Sequence, residues 1–165
     1  MLRQFLQRKT ARFASWWNAP ATRKGLLLNL YTLDGKLYSP VCARTKDGFY
    51  LEQKPVDFTE LNNEPVAARL IEAKIATGNP IIPTPNLRRN PIEPAIKGVD
   101  GLSLSRFNQS AKLWLLKSIE GGFDLLETSS IKGGGWQSGK SVLSIPSNSA
   151  GVVANAVAKK LRELG

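Results

Sequence analysis

A proline-rich stretch near the middle of the chain limits where helices and strands can form. Residues 79–101 contain five of the ten prolines in this sequence of 165 residues. Proline fixes φ and removes a backbone donor, so it suits neither a helix interior nor a central strand. We therefore expect an extended connection over residues 79–101, between two structured halves at residues 25–78 and 102–165.

Each half contains several β-prone segments and then one helical pattern. The expected strands are Leu26–Thr32, Leu37–Arg44, Phe49–Gln53, Val56–Leu61, Leu102–Asn108, Lys112–Ser118, Phe123–Ser129 and Ser141–Ile145. Asp34-Gly35 is a strong signal for a tight turn between the first two. Apolar residues at helical spacing predict helices over residues 64–77 and 149–164, the first ending at Gly78.

The two halves also share short sequence matches. Lys36-Leu37-Tyr38 in the first half corresponds to Lys112-Leu113-Trp114 in the second, and a Gly-Phe pair follows each. This self-similarity predicts a repeated four-strand-plus-helix unit. We expect a single α+β domain over residues 25–165, with two antiparallel sheets, preceded by an N-terminal basic amphipathic helix.

Residues 1–24 form a separate basic segment. The first 33 residues contain six cations and no acid: Arg3, Arg8, Lys9, Arg12, Arg23 and Lys24. Apolar residues within 2–17 fall near one face of a helix. Three interpretations stay open: a retained arm that presents cations, a helix that touches a membrane surface, or an organellar presequence. We favour the retained arm.

Cysteine and histidine usage narrows the chemistry. The chain has one cysteine, Cys42, and no histidine. An internal disulfide is therefore impossible, and histidine-based triads, general bases and zinc sites are excluded. No apolar run approaches the roughly 20 residues that span a bilayer. We expect an intracellular, non-catalytic protein without a cofactor, a metal or an integral membrane segment, and we expect Cys42 to be a small buried residue.

One motif resembles a nucleotide-binding loop. Residues 134–141 match the pattern G-x-x-x-x-G-K-[ST]. That chemistry needs a helix beginning at Lys140-Ser141, whereas Ser141–Ile145 alternates like a strand and Pro146 follows it. We therefore interpret Lys132–Lys140 as a glycine-rich, cationic hairpin loop with Trp136 at its tip.

The charge pattern favours a polyanion as partner. The net charge is +10, and several cations neighbour an aromatic residue along the chain. Cations neutralise phosphates, and an aromatic ring can stack on an unpaired base. The candidate contacts to single-stranded DNA or RNA are Lys36, Tyr38, Arg44, Lys46, Arg106, Lys112, Trp114, Lys117, Lys132, Trp136 and Lys140.

The doubled unit with basic, aromatic sheets resembles the Whirly and Pur-alpha-like single-stranded nucleic-acid binders. The stretch from Gly139 to Pro146, which runs into a helix, also resembles the last strand and helix of positive-cofactor-four coactivators. The resemblance implies that curved sheets carry the nucleic acid, with little sequence preference. It further implies that the helices hold halves or subunits together, as in a homo-oligomer.

Two other functions fit the same composition. A basic surface also suits an inhibitor or immunity-type protein that blocks an acidic protein partner. A structural or assembly protein with basic arms is the third hypothesis. The sequence favours nucleic-acid binding over both, and salt-dependent binding to a single strand separates it from the inhibitor hypothesis.

Overall fold

The structure, a computed structural model, describes residues 25–132 and 135–165. The predicted basic helix at residues 1–24 lies outside the described residues. The described strands are β1 (Leu27–Leu33), β2 (Lys36–Thr45), β3 (Tyr50–Glu60), β4 (Ile81–Ile82), β5 (Lys112–Ile119), β6 (Gly122–Ser130) and β7 (Trp136–Ile145). The described α-helices are α1 (Glu64–Thr77), α2 (Leu104–Ser110) and α3 (Ala150–Leu164).

All seven described strands belong to one sheet. Its order is β3-β2-β1-β5-β6-β7, with every neighbour antiparallel. The short β4 lies off this path and pairs in parallel with the end of β2. Each half of the chain therefore forms a three-stranded meander, and the two meanders join where β1 pairs with β5.

The expected pair of sheets built from a four-strand-plus-helix unit is therefore wrong. In the first half, the segments Phe49–Gln53 and Val56–Leu61 are not two strands but parts of one strand, β3. Strand β3 pairs with β2 on both sides of Lys54 and Pro55. The register shifts between the two sides, so these two residues have no partner in β2. A bulge on an edge strand tolerates proline, so Pro55 does not end the strand.

In the second half, the expected strand Leu102–Asn108 is wrong because it is largely helical. Helix α2 begins after Ser103, whose Oγ accepts a hydrogen bond from the backbone N–H of Arg106 at 3.2 Å. Serine is a favourable cap because it satisfies a free N–H of the first turn. Each half therefore supplies three strands to the path of the shared sheet, one fewer than expected.

The two long helices are confirmed at the predicted positions. Helix α1 covers the predicted residues, and Gly78 at its end has a positive φ of 70°. Helix α3 begins at Ala150, one residue later than predicted. The two helices pack against each other and against one face of the sheet. The fully buried residues of this first core include Leu28, Leu30, Leu37, Ile71, Trp114, Leu116, Leu125, Val153, Val157 and Leu161.

The opposite face of the sheet carries a second core. Successive residues of a strand face opposite sides, so Tyr31 and Leu113 lie here while their neighbours Leu30 and Trp114 lie in the first core. Helix α2 contributes Phe107, whose ring centroid lies 4.9 Å from that of Tyr31. This sheet is thus covered on both faces at its centre.

Both edge strands of the described sheet are irregular. At one edge, Lys54 and Pro55 of β3 have no partner in β2. At the other edge, the register between β6 and β7 shifts twice, around Leu126. Bulges of this kind bend and twist a strand and interrupt its ladder of hydrogen bonds.

Candidate binding surface

Most of the aromatic rings proposed to stack on bases are buried. Tyr38 is 2% exposed and Trp114 is 1% exposed. The Trp114 indole N–H donates a hydrogen bond to Thr32 Oγ1 at 3.0 Å, inside the first core. Phe107, the aromatic neighbour of Arg106, is 4% exposed in the second core. These rings stabilise the two cores and are not available to a base.

Two of the proposed cations already have acidic partners. The Lys36 ammonium lies 2.7 Å from Asp100 Oδ2 and 3.7 Å from Glu60 Oε1. The hydrogen bond to Asp100 is the main cause that raises the Lys36 pKa. Arg106 pairs with Asp34 at 2.5 Å. These cations are compensated locally, so they contribute less to attraction of a polyanion.

Four of the other candidate cations, Lys112, Lys117, Lys132 and Lys140, are exposed, and we call them the hairpin cations. Lys112 and Lys117 lie near opposite ends of β5 and on opposite faces of the sheet, Lys132 lies in the β6–β7 connection just after β6, and Lys140 lies on β7. Within residues 25–132 and 135–165, none of them makes an ion pair. The Lys112 ammonium lies 5.6 Å from the centroid of the Trp114 ring. Lys46 is exposed as well but lies at the far side of the sheet, next to β4.

The predicted loop is shorter than expected, and Trp136 is not at its tip. Strand β7 begins at Trp136, so Lys140 and Ser141 lie within a strand. The prediction that Ser141–Ile145 is a strand is confirmed, and this geometry lacks the helix start that a phosphate loop requires. Trp136 is half-buried and packs against the second core, which leaves only part of its ring open.

The six basic residues proposed for the N-terminal arm lie outside the described residues: Arg3, Arg8, Lys9, Arg12, Arg23 and Lys24.

A polar cluster that the sequence analysis missed lies on the second face, where β1, β2 and β3 adjoin. Glu52 of β3 accepts hydrogen bonds from the Asn29 side-chain amide and from the Tyr31 hydroxyl, and both donors meet the same oxygen, Oε1. Burial raises the pKa of Glu52, and these two hydrogen bonds offset the effect only in part. Burial also raises the pKa of Tyr31, with the Glu52 carboxylate as the next cause. The sequence feature that could have indicated this cluster is Asn29, a polar residue within the mostly apolar strand β1.

Cys42 belongs to the same cluster but is a structural residue. It is 1% exposed, and its Sγ accepts a hydrogen bond from the backbone N–H of Asn29 at 3.2 Å. Burial raises the pKa of the thiol to about 12. A thiol that stays protonated at neutral pH is a poor nucleophile. The expectation that Cys42 is a small buried residue is confirmed.

We expect Glu52→Gln to stabilise the protein at alkaline pH. Glutamine keeps Oε1 as the acceptor for Asn29 and Tyr31 and removes a buried charge. A carboxyl group with a raised folded-state pKa stabilises the fold at low pH, and this contribution is lost as the pH rises from the ordinary value of 4.5 through the folded pKa. Urea unfolding at pH 4 and pH 8 should therefore show that the advantage of the variant grows with pH.

The exposed residue Glu72 on α1 provides a control for this experiment. Glu72→Gln removes the same charge from the surface and should change stability by a small amount that varies little with pH. A loss of stability in Glu52→Gln that grows from pH 4 to pH 8 would contradict our account, because it would mean that the charged carboxylate is itself favourable.

Two features are absent from the described residues, a cluster of metal ligands and a membrane-spanning helix. No group of three or more Cys, Asp or Glu side chains there is arranged to hold a metal ion. No helix in this part of the chain has the length and apolarity needed to cross a membrane.

Comparison with known proteins identifies the fold and no function. No family model matches the sequence, and no curated protein matches it. Among solved structures, the chain is similar to a protein of unknown function, NMB0488, from Neisseria meningitidis, with a TM-score of 0.55 and 12% sequence identity. The match covers 82% of this chain and 95% of that one. At this identity it shows a shared fold alone, and the resemblance to Whirly and Pur-alpha-like proteins stays a hypothesis.

Proposed function

We propose that this protein is a non-catalytic binding protein of the inhibitor type, which covers an acidic surface of a protein partner. The observation that carries the proposal is the group of exposed hairpin cations, none of which has an ion-pair partner within the described residues. Exposed cations without an acidic partner attract an acidic surface and steer its approach.

The burial of the aromatic rings supports a protein partner over a nucleic acid. A single-stranded nucleic-acid binder gains roughly 1–3 kcal/mol from each stacked base. Tyr38, Phe107 and Trp114 are unavailable for this because they form the two cores. Protein interfaces instead combine apolar contacts at the centre with a polar, solvent-accessible rim. Ile131 is 43% exposed beside Lys132 and supplies such an apolar contact.

Single-stranded nucleic acid is the second candidate, and one observation favours it. Trp136 retains partial exposure on β7, the strand that also carries Lys140. One base could stack there while nearby phosphates contact the lysines. An effect of Trp136→Ala on binding of oligo-dT but not on binding of an acidic polypeptide would support this candidate.

The test measures binding of fluorescently labelled poly-L-glutamate to the full chain by anisotropy at two salt concentrations. The triple variant Lys117→Gln, Lys132→Gln, Lys140→Gln should bind about tenfold more weakly, because three exposed charge contacts of roughly 0.2–1 kcal/mol each are lost. The affinity of the variant should also depend less on salt. Labelled oligo-dT of equal length serves as the competing ligand.

A matched variant replaces three other lysines without ion pairs in the described residues, Lys54→Gln, Lys159→Gln and Lys160→Gln. The net charge then falls equally, but the hairpin cations remain. Equal weakening by both triple variants would contradict the proposed surface, since it would show a response to net charge alone. Clearly tighter binding to oligo-dT than to poly-L-glutamate would favour the second candidate.

A further inference from the structure

A cleft of about 320 Å³ opens at the surface where β1 and β2 separate. The two strands pair only from Tyr31↔Tyr38 to Leu33↔Lys36, at the turn that connects them. Farther from the turn, the side chain of Asn79 fills the gap. Its Nδ2 donates to the carbonyls of Leu27 and Cys42, each at 2.8 Å, and its Oδ1 accepts from the Leu27 N–H at 3.0 Å. The walls of the cleft are therefore held by a defined set of hydrogen bonds.

Arg44 supplies the charge of the cleft. It lies on β2, is half-buried, and lines the cleft together with Gly25 and Gly78. It makes no ion pair within the described residues. Glu52, the acid two residues beyond its strand partner Tyr50, is held by Tyr31 and Asn29 instead. Without a carboxylate partner in the described residues, the guanidinium can pair with an added anion, because its planar fork of donors matches a carboxylate or a phosphate.

Three aliphatic side chains form the apolar part of the cleft lining. Leu26 and Ile75 are partly buried and pack against the first core. Ile81 also lines the cleft and is 71% exposed. No other large hydrophobic residue in the described part of the chain is more exposed. An isolated phosphate has no apolar group to pack against these aliphatic side chains. A carboxylate on an aliphatic stem, next to an aliphatic neighbour, would use both the cation and the walls.

We propose that this cleft binds a carboxylate side chain of the partner, an aspartate or glutamate flanked by an aliphatic residue. The inference rests on the proposed function and makes it more specific: the hairpin cations attract the acidic surface, and the Arg44 cleft receives one particular acidic side chain. A bidentate pair between the guanidinium and the carboxylate would fix its orientation.

The test follows the Arg44 side-chain Nε–H signal by NMR in the full chain labelled with ¹⁵N-arginine. The probe is the peptide acetyl-Leu-Glu-Leu-amide, with acetyl-Leu-Gln-Leu-amide as its uncharged match and inorganic phosphate as the alternative anion. We expect a saturable shift of the Arg44 signal with the glutamate peptide and none with the glutamine peptide. Arg44→Gln should weaken binding about tenfold and Ile81→Ser about threefold.

Two controls separate this site from general charge effects. Arg69 is exposed on α1 outside the cleft, and Arg69→Gln should leave peptide binding unchanged. Arg44→Lys keeps the charge but loses the planar fork, and it should bind more weakly than the native chain and more tightly than Arg44→Gln. An unmoved Arg44 signal, an equal loss in Arg69→Gln, or tighter binding of phosphate than of the glutamate peptide would overturn the proposal.

Failure of the cleft and failure of the proposed function are distinguishable. If poly-L-glutamate binding depends on the hairpin cations while the Arg44 signal ignores the peptide, the cleft proposal is overturned and the proposed function stands. If the Arg44 signal responds to the peptide while poly-L-glutamate binding is insensitive to the hairpin cations, the cleft binds carboxylates and the hairpin surface is wrong.

Discussion

Replacing Trp114 with alanine is expected to lower the free energy of unfolding by about 3–5 kcal/mol. Trp114 is the largest fully buried side chain of the described residues and lies at the centre of the first core. Alanine would leave a cavity between the sheet and the helices. It would also leave the buried Thr32 hydroxyl, which now accepts a hydrogen bond from the indole N–H, without that partner. Chemical denaturation followed by circular dichroism measures the loss.

Trp136→Ala is the matched comparison for this experiment. Trp136 is only half-buried at the margin of the second core, so its loss should cost clearly less stability than the loss of Trp114. If Trp114→Ala retained native stability and instead lost affinity for a single strand, the ring would be a stacking platform. Our account of the first core would then be wrong.

Asn79→Ala is the second change with a large expected effect, about 2–4 kcal/mol. One side chain satisfies the N–H and C=O of Leu27 and the C=O of Cys42, so it replaces a stretch of β ladder where β1 and β2 separate. Alanine leaves these groups without a protein partner at a partly buried position. Thermal and urea unfolding should both report the loss, and amide exchange should increase at Leu27.

An exposed asparagine provides the comparison for Asn79. Asn86 Oδ1 accepts from the N–H groups of Arg88 and Arg89 in a solvent-exposed turn. Water can replace these hydrogen bonds, so Asn86→Ala should cost no more than about 1 kcal/mol. Equal losses in the two variants would argue against a special role of Asn79 in joining the strands.

Local features of the fold were predictable because local residues determine them. The turn at Asp34-Gly35 has φ values of 49° and 76°, which asparagine, aspartate and glycine tolerate best. Gly78 ends α1 for the same reason, and the apolar stripe of α3, including Val153 and Val157, is visible as a period of 3.6 residues. These signals need no knowledge of the partner elements.

Strand pairing was not predictable in the same way. Strands β1 and β5 pair although β2, β3, α1 and the proline-rich connection separate them in sequence. Such pairing depends on which apolar faces meet in three dimensions. Alternation of apolar and polar residues indicates a strand, but it does not indicate which other strand pairs with it. The segment Leu102–Asn108 was likewise ambiguous because a short apolar pattern suits a strand or a helix.

The exposed cations of the candidate site were predictable from the sequence, but the burial of its aromatic rings was not. Cations and aromatics alternate along β2 and β5, which suggested a mixed binding face. Both faces of the central sheet are covered, however, so Tyr38 and Trp114 are buried on opposite sides. The pairing of Lys36 with Asp100 was also hidden, because the acid comes from the proline-rich connection. The hairpin cations remained recognisable because no acidic side chain of residues 25–132 or 135–165 forms an ion pair with them.

The irregular edges of the sheet determine how any partner can be held. Because bulges bend β3 and β7 and Pro55 lacks an N–H, both edges are poor templates for a long strand added by another chain. The same interruption guards against fibril-like growth when the protein is concentrated. Affinity for a partner is then expected to come mainly from side chains, which single substitutions can alter one at a time while the backbone stays as it is.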